Sequence, residues 1–193
     1  MSDFLSFDTL SLHAGQTLDS EFGSRAQPIH QTTSYVFTDT DTASSLFNLE
    51  RGGHVYNRIS NPTVGVLEQR VAALEGGSAS VCVASGMSAV FCAITALVSQ
   101  GDHVVASANM YGGNISLLKN TLPRFGITAT FVDPTDIKQI ESAIQENTKI
   151  IFGELIGNPG LSVMDIEAVS KICSKYHLPL MIDGTFNTPY LCR

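Results

Sequence analysis

With 193 residues, 44% of them hydrophobic, the chain is long enough for one large domain and has the composition of a soluble globular core. Its formal charge of −7, from 11 Lys+Arg against 18 Asp+Glu with no basic run, excludes a basic nucleic-acid-binding stripe and disfavours an anionic membrane surface as partner. Charged residues make up only 15%, against roughly 25% in an average domain, so a sizeable area is expected to be buried against a subunit partner or a further domain.

Residues 1–55 are rich in Ser, Thr, Asp and Gly, with one short β-prone stretch, Gln31 to Phe37. Nothing there repays burial by itself, so this region reads as an extended arm that gains its contacts from a neighbouring subunit; a loose tail is the alternative. Asp3 and Asp8, without a basic region or a long apolar run, do not make a secretory signal, and the expected setting is cytoplasmic. A helix is predicted from Asn61 (cap) and Pro62 (first turn), burying Val64, Leu67, Val71 and Leu74 and ending at Gly76-Gly77.

Val81 to Val98 carries no charge and is 18 residues long, the lower edge of a membrane span. Ser85-Gly86-Met87-Ser88 interrupts it and no aromatic or basic belt flanks it, so a buried strand, a tight turn and a buried helix are the better reading. From there strand-like and helix-like segments alternate. Strands are predicted at Ser80 to Ala84, His103 to Ala106, Ile127 to Val132, Lys149 to Gly153 and Pro179 to Asp183, as continuous apolar runs typical of strands covered on both faces. Helical spacing appears at Ile137, Ile140 and Ile144, and again at Ile166, Val169, Cys173 and Tyr176 behind an Asp165 cap. This order predicts an α/β fold, a mainly parallel sheet with helices on both faces. The chain stops at Tyr190-Leu191-Cys192-Arg193, soon after a core strand, so the sheet is expected to be incomplete at its C-terminus.

Four cysteines, Cys82, Cys92, Cys173 and Cys192, fall in no C-x-x-C pair and near no suitably spaced His, so zinc is not expected. Cys82 and Cys92 sit in apolar stretches and read as small hydrophobes.

Several short segments could carry chemistry. Ser85-Gly86-Met87 joins a strand to an apolar helix, placing free N–H groups and the positive end of a helix dipole where a phosphate could sit; a glycine required only by sterics gives the same pattern. Tyr56 and Arg58, two apart in an extended segment, offer a phenol and a guanidinium fork to one phosphate, or belong simply to the loop capping the next helix. Tyr111-Gly112-Gly113 follows a strand and opens a helix, so Tyr111 could stack on an aromatic ligand, although a lone loop tyrosine is common. Glu154-Leu155-Ile156-Gly157-Asn158-Pro159 and Ile182-Asp183-Gly184-Thr185 each follow a core strand. An ionised Asp183 there wants a cationic partner, such as a protonated pyridine-type nitrogen. A helix cap is the alternative; a metal is disfavoured because no His or second acid is near in sequence.

In this order the segments resemble the Cys/Met-metabolism family of pyridoxal-phosphate (PLP) enzymes. The likeness covers nearly the whole chain, from Thr9 to Gly15 and Gln31 to Tyr35, through Tyr56 to Thr63, Glu75-Gly76-Gly77, Ser85-Gly86-Met87 and Tyr111-Gly112-Gly113, to Gly153 to Leu161 and Asp183 to Arg193. It implies the large domain of a type I (aspartate aminotransferase-like) PLP transferase, with the arm at 1–55 and the PLP-binding domain at 56–193. Glu154-x-x-Gly157-Asn158-Pro159-Gly160 leans toward the sulfhydrylase branch, which makes homocysteine or methionine from O-acetylhomoserine and sulfide or a thiol. A γ-synthase, a γ/β-lyase and a catalytically silent fragment are the alternatives.

By the same resemblance Ser85, Gly86 and Met87 would hold the phosphate of pyridoxal 5'-phosphate. Tyr56 and Arg58 would reach the phosphate bound by the adjacent subunit. Tyr111 would stack on the ring and help move protons, and Asp183 would hold the ring nitrogen. Thr185 would support the ring, Asn158 would contact its hydroxyl, and Glu154 would lie near the coenzyme. The implied partners are a small amino-acid substrate and further copies of the chain, as a dimer of dimers. The family's Schiff-base lysine lies beyond Asp183 in a Ser-x-Thr-Lys stretch, whereas this chain has only Lys119, Lys138, Lys149, Lys171 and Lys175. Three positions depart from the family pattern: Gly184 where Asn is usual, Asn187 where Ala is usual, and Leu155 where Ser or Thr is common.

Overall fold

The computed structural model describes residues 5–193, and divides the chain into two units, one made mainly of residues up to Cys82 and one of Val83–Cys192. The beginning of the expected arm, residues 1–4, lies outside the described residues.

Among its described residues the first unit holds three helices. α1 (Phe7–His13) is capped by Ser6, α2 (Thr40–Phe47) by Asp39, and α3 (Pro62–Glu75) by Asn61 with Pro62 in its first turn. The Asn61 amide also donates to the His30 carbonyl at 2.8 Å and to Asn57, which fastens the 28–30 strap to the start of α3. Gly15, at φ +75°, brings the α1 exit against α3 so closely that a Cβ would stand 2.7 Å from Gln69 Cβ, and Arg70 Nε donates to the Ala14 carbonyl. The β-prone stretch from Gln31 to Phe37 forms only one antiparallel bridge, Ser34 to Tyr56. The predicted apolar face of α3 is not buried: Val64 and Leu67 are exposed, because nothing in this unit covers that face.

The second unit is a three-layer α/β structure. Its elements are α4 (Gly86–Leu97), β1 (His103–Ser107), α5 (Gly112–Ser116), β2 (Thr128–Val132), α6 (Ile137–Ser142), β3 (Thr148–Glu154), α7 (Ile166–Tyr176), β4 (Leu180–Asp183) and α8 (Thr188–Leu191). The four strands pair in parallel in the order β2-β1-β3-β4. Alternate strand residues face opposite layers. Val104, Ala106, Ile150 and Phe152 pack with Val90 and Ile94 of α4 and with Leu117, Leu118 and Leu122 of the β1–β2 connection. Val105 and Ile151 pack on the other side with Ile140 of α6 and Val169, Ile172 and Cys173 of α7. Burial on both faces explains the unbroken apolar runs of β1 and β3.

Two sequence expectations are corrected here. Ser80 to Ala84 is not a strand, since no described strand pairs with it, and Val81 is 81% exposed. Only one side of α4 is buried, so Cys92 is exposed rather than part of the core. No helix among the described residues is long and apolar enough to cross a membrane, and no group of three or more His, Cys, Asp or Glu there is placed to hold a metal ion.

One polar residue sits at the heart of the sheet. His103 is 1% exposed, with Nδ1 2.8 Å from Thr148 Oγ1 and Nε2 2.9 Å from Thr130 Oγ1 and 3.3 Å from the Gln145 amide nitrogen. Burial disfavours the charged imidazolium and holds the His103 pKa below the usual value. A lowered histidine pKa means that the unfolded chain takes up the proton first, so stability is complete above about pH 6.5 and falls as the pH drops through that value. The hydrogen-bonded carboxylates, such as Asp133 with the Thr135 N–H and Glu141 with Lys175, lose their contribution only near pH 4 and below. Urea midpoints should therefore decrease between pH 7.5 and 5.5 in the wild-type chain, and His103→Gln, though less stable at pH 7.5, should show no such decrease.

Candidate functional site

A parallel sheet sends all its strand carboxyl ends to one edge, and a crevice opens where neighbouring strands are continued in opposite directions. Here β1 leads through the α4-side layer to β2, and β3 leads through α7 to β4 on the other flank. At this edge of the second unit lies a cavity of about 390 Å³, within the size range of small-molecule sites. The start of α4 supplies Ser85, Gly86, Met87 and Val90 to its wall, the segment after β1 supplies Tyr111 and Asn114, the end of β3 and its turn supply Glu154, Ile156 and Asn158, and the end of β4 supplies Asp183, Thr185 and Phe186.

One wall suits an anion. Ser85 caps α4 by accepting from the Ser88 N–H at 3.1 Å, and helix geometry leaves the N–H groups of Gly86 and Met87 without intrahelical acceptors. A Cβ at Gly86 would meet nothing within 4 Å, so the approach to these donors is open.

The opposite wall is acidic. Glu154 and Asp183 are direct partners in the β3–β4 ladder, so both side chains leave the same face of the sheet. Asp183 is half-buried; its Oδ1 accepts from the Thr185 N–H at 2.9 Å and from the Thr185 hydroxyl, which leaves Oδ2 open. Glu154 is buried and accepts the backbone N–H groups of Tyr111 and Asn158.

Tyr111 supplies an aromatic face. Its ring lies over Gly113, where a Cβ would come 2.5 Å from Tyr111 Cε1 and 2.9 Å from Met87 Sδ. Asn158 sits in a turn that is also held by Asn109, whose amide donates to Ser162 and accepts the Gly160 N–H. Gly157 and Gly160 allow that approach, since a Cβ on either would fall within 2.6 Å of Asn109.

Tyr56 and Arg58 lie in the first unit. Tyr56 pairs with Ser34 in the isolated bridge and Arg58 lies in the turn that follows it, yet the two are still adjacent, with the guanidinium carbon 5.5 Å from the Tyr56 ring centre. The other eight residues singled out from the sequence all line the cavity. Sequence reading missed Val90, Asn114, Ile156 and Phe186; Asn114 was within reach, because it lies three positions after Tyr111 at the start of a helix and so shares its face.

The sequence profile described as Cys/Met metabolism PLP-dependent enzyme matches residues 8–193. The chain belongs to this family. Among family relatives it is 47% identical over 184 residues to the O-acetyl-L-homoserine sulfhydrylase of Leptospira meyeri, covering 95% of this chain and 42% of the relative. It is 38% identical to the L-methionine gamma-lyase of Fusobacterium nucleatum, covering 95% of this chain and 46% of that enzyme. A solved Campylobacter jejuni structure containing N'-pyridoxyl-lysine-5'-monophosphate superposes with a TM-score of 0.92 at 41% identity, over 96% of this chain and 46% of that one. The chain thus spans less than half the length of these relatives.

The family's coenzyme is pyridoxal phosphate, and the cavity's chemistry matches it: open N–H donors for a phosphate, a free carboxylate oxygen for a ring nitrogen, and an aromatic face beside apolar side chains. None of the five lysines lines the cavity. Two departures from the family pattern meet in space. The side-chain amide of Asn187 lies 3.3 Å from where a Gly184 Cβ would be, so Asn187 fills room that the glycine leaves.

Gly112 and Gly113 separate helix propensity from the space needed by Tyr111. A Cβ at Gly112 meets nothing within 4 Å, so Gly112→Ala should be neutral or stabilise by up to about 1 kcal/mol. Gly113→Ala should destabilise by about 1–3 kcal/mol through overpacking against the Tyr111 ring. Urea denaturation of the two variants checks the contrast.

Proposed function

We propose that the protein containing this chain replaces the γ-substituent of O-acetylhomoserine: the γ C–O bond breaks, sulfide or a thiol forms the C–S bond, and acetate leaves with the thiol proton. The products are homocysteine or a thioether such as methionine. The observation that carries this reading is the 47% identity to an O-acetyl-L-homoserine sulfhydrylase across 95% of the chain, combined with a cavity of matching chemistry.

When bound, pyridoxal phosphate supplies the electron sink that such chemistry needs. In this reading the N–H groups of Gly86 and Met87, with the Ser85 hydroxyl, bind its phosphate. Asp183 keeps a proton on the ring nitrogen, while Thr185 holds the carboxylate in orientation. Tyr111 would stack on the ring and move protons at its phenol, and Asn158 would orient the ring hydroxyl. Tyr56 and Arg58 complete the phosphate site of a second subunit. Support for an arm that docks on another copy comes from the large apolar side chains that the first unit leaves exposed, including Leu18, Phe22, Ile29, Val36 and Leu49. The assembly in this reading is a dimer of dimers in the cytoplasm.

A lyase that releases an oxoacid is the second reading, supported by the 38% identity to a methionine gamma-lyase. With no lysine at the cavity, the isolated chain holds the coenzyme only through non-covalent contacts and does not turn over. Incubating it with pyridoxal phosphate, O-acetylhomoserine and sulfide, alone and complemented by a polypeptide supplying a relative's remaining length, tests these statements. Homocysteine and acetate should form only in the complemented mixture; oxoacid released without a thiol would assign the lyase instead. Asp183→Ala should weaken coenzyme binding, followed by absorbance, by about tenfold to a hundredfold, the range for one charge-assisted hydrogen bond.

A further inference from the structure

Glu154, the last residue of β3, is 6% exposed, and none of the ion pairs among the described residues includes it. A carboxylate buried in this way is costly unless hydrogen bonds satisfy it. Oε1 accepts from the Tyr111 backbone N–H at 2.7 Å and from Asn114 Nδ2 at 3.1 Å, and Oε2 accepts from the Asn158 backbone N–H at 3.0 Å. Every partner is a donor, and a carboxylate is the side chain that only accepts. Asn114 reinforces the point. Its Oδ1 is buried without a partner, a cost the structure bears because turning the amide over would set oxygen against the carboxylate.

We propose that Glu154 is a positioning residue rather than a coenzyme contact. Its carboxylate ties the segment carrying the Tyr111 ring and the turn carrying the Asn158 side chain to the end of one strand. The ring and the amide are thereby held before any ligand arrives. Asn109, two residues before Tyr111, joins that segment to the far side of the 157–162 turn, and Glu154 provides the link at the turn's first residues and at Tyr111 itself. The consequence for coenzyme binding rests on the reading given above; the clamp itself rests on geometry alone.

The isosteric variant Glu154→Gln is the informative change, since its amide must point N–H groups at N–H groups on one side. Amide hydrogen exchange on the full 193-residue chain, without coenzyme, addresses the clamp. In the wild type the Tyr111 and Asn158 amides should exchange at least tenfold more slowly than that of Gly112, the first residue of α5. In Glu154→Gln one or both should lose that protection while the amides of β1 and β3 keep theirs, a pattern that general destabilisation would not give. Wild-type Tyr111 and Asn158 amides that exchange as fast as Gly112 overturn the proposal, and this arm needs no variant to fold.

Coenzyme titration addresses the consequence. Glu154→Gln should weaken pyridoxal phosphate binding about tenfold, and should weaken it no further in a chain already carrying Tyr111→Ala and Asn158→Ala. A tenfold loss that persists in that background would mean direct contact and would overturn the positioning role. Should the wild-type chain bind no pyridoxal phosphate, the coenzyme reading fails while the exchange measurement still decides the clamp.

Discussion

Parallel pairing of β1 with β3 is the constraint on which the second unit depends. Parallel strands cannot be joined by tight turns, so each must be followed by a crossover that covers a face of the sheet, and each releases its next loop at the same edge. Once β1 and β3 lie side by side and are continued on opposite flanks, the segments after them must diverge, and a crevice between them is unavoidable. The cavity is formed by what the chain places there: the beginning of α4, the Tyr111 segment, the Asn158 turn and the end of β4.

The charges in that crevice are arranged by neighbouring strands. Glu154 and Asp183 are ladder partners, so pairing alone brings two carboxylates together on one side of the sheet. Their surroundings then separate their roles. Glu154 is buried with both oxygens occupied by N–H groups, and Asp183 is half-buried with one oxygen oriented by Thr185 and the other open. The first organises the protein, and the second is available to a ligand. Opposite them the unpaired N–H groups at the start of α4 favour negative charge, so the crevice is complementary to a molecule with an anionic end and a cationic ring.

The two units differ sharply in how their apolar residues are used. In the second, both sheet faces are covered and the strand residues of β1 are fully buried. In the first, α3 buries none of its residues and several large side chains between residues 18 and 49 face solvent. The low content of charged residues has its structural counterpart here, in apolar surface that the chain does not cover by itself.

How much was legible in the sequence follows from the range over which each signal acts. Local and periodic features determined themselves: the Asn61 and Asp165 caps, four of the five expected strands, with β1 and β3 buried on both faces, and the alternation that makes an α/β sheet. Eight of the cavity-lining residues were singled out in sequence because each ends or follows a strand or opens a helix, positions that topology sends to one edge. Ser80 to Ala84 misled, since a strand exists only when another chain segment supplies its ladder, and composition cannot announce a missing partner. The sequence likewise offered Glu154 as a residue at the coenzyme, with no protein partner named. That it accepts from Tyr111 on one side and Asn158 on the other, that Gly113 makes room for the Tyr111 ring, and that Asn187 occupies space beside Gly184 were decided by tertiary structure. Each is a contact between segments brought together by packing, and a hydrogen bond or a steric limit acts through ångströms of space rather than along the chain.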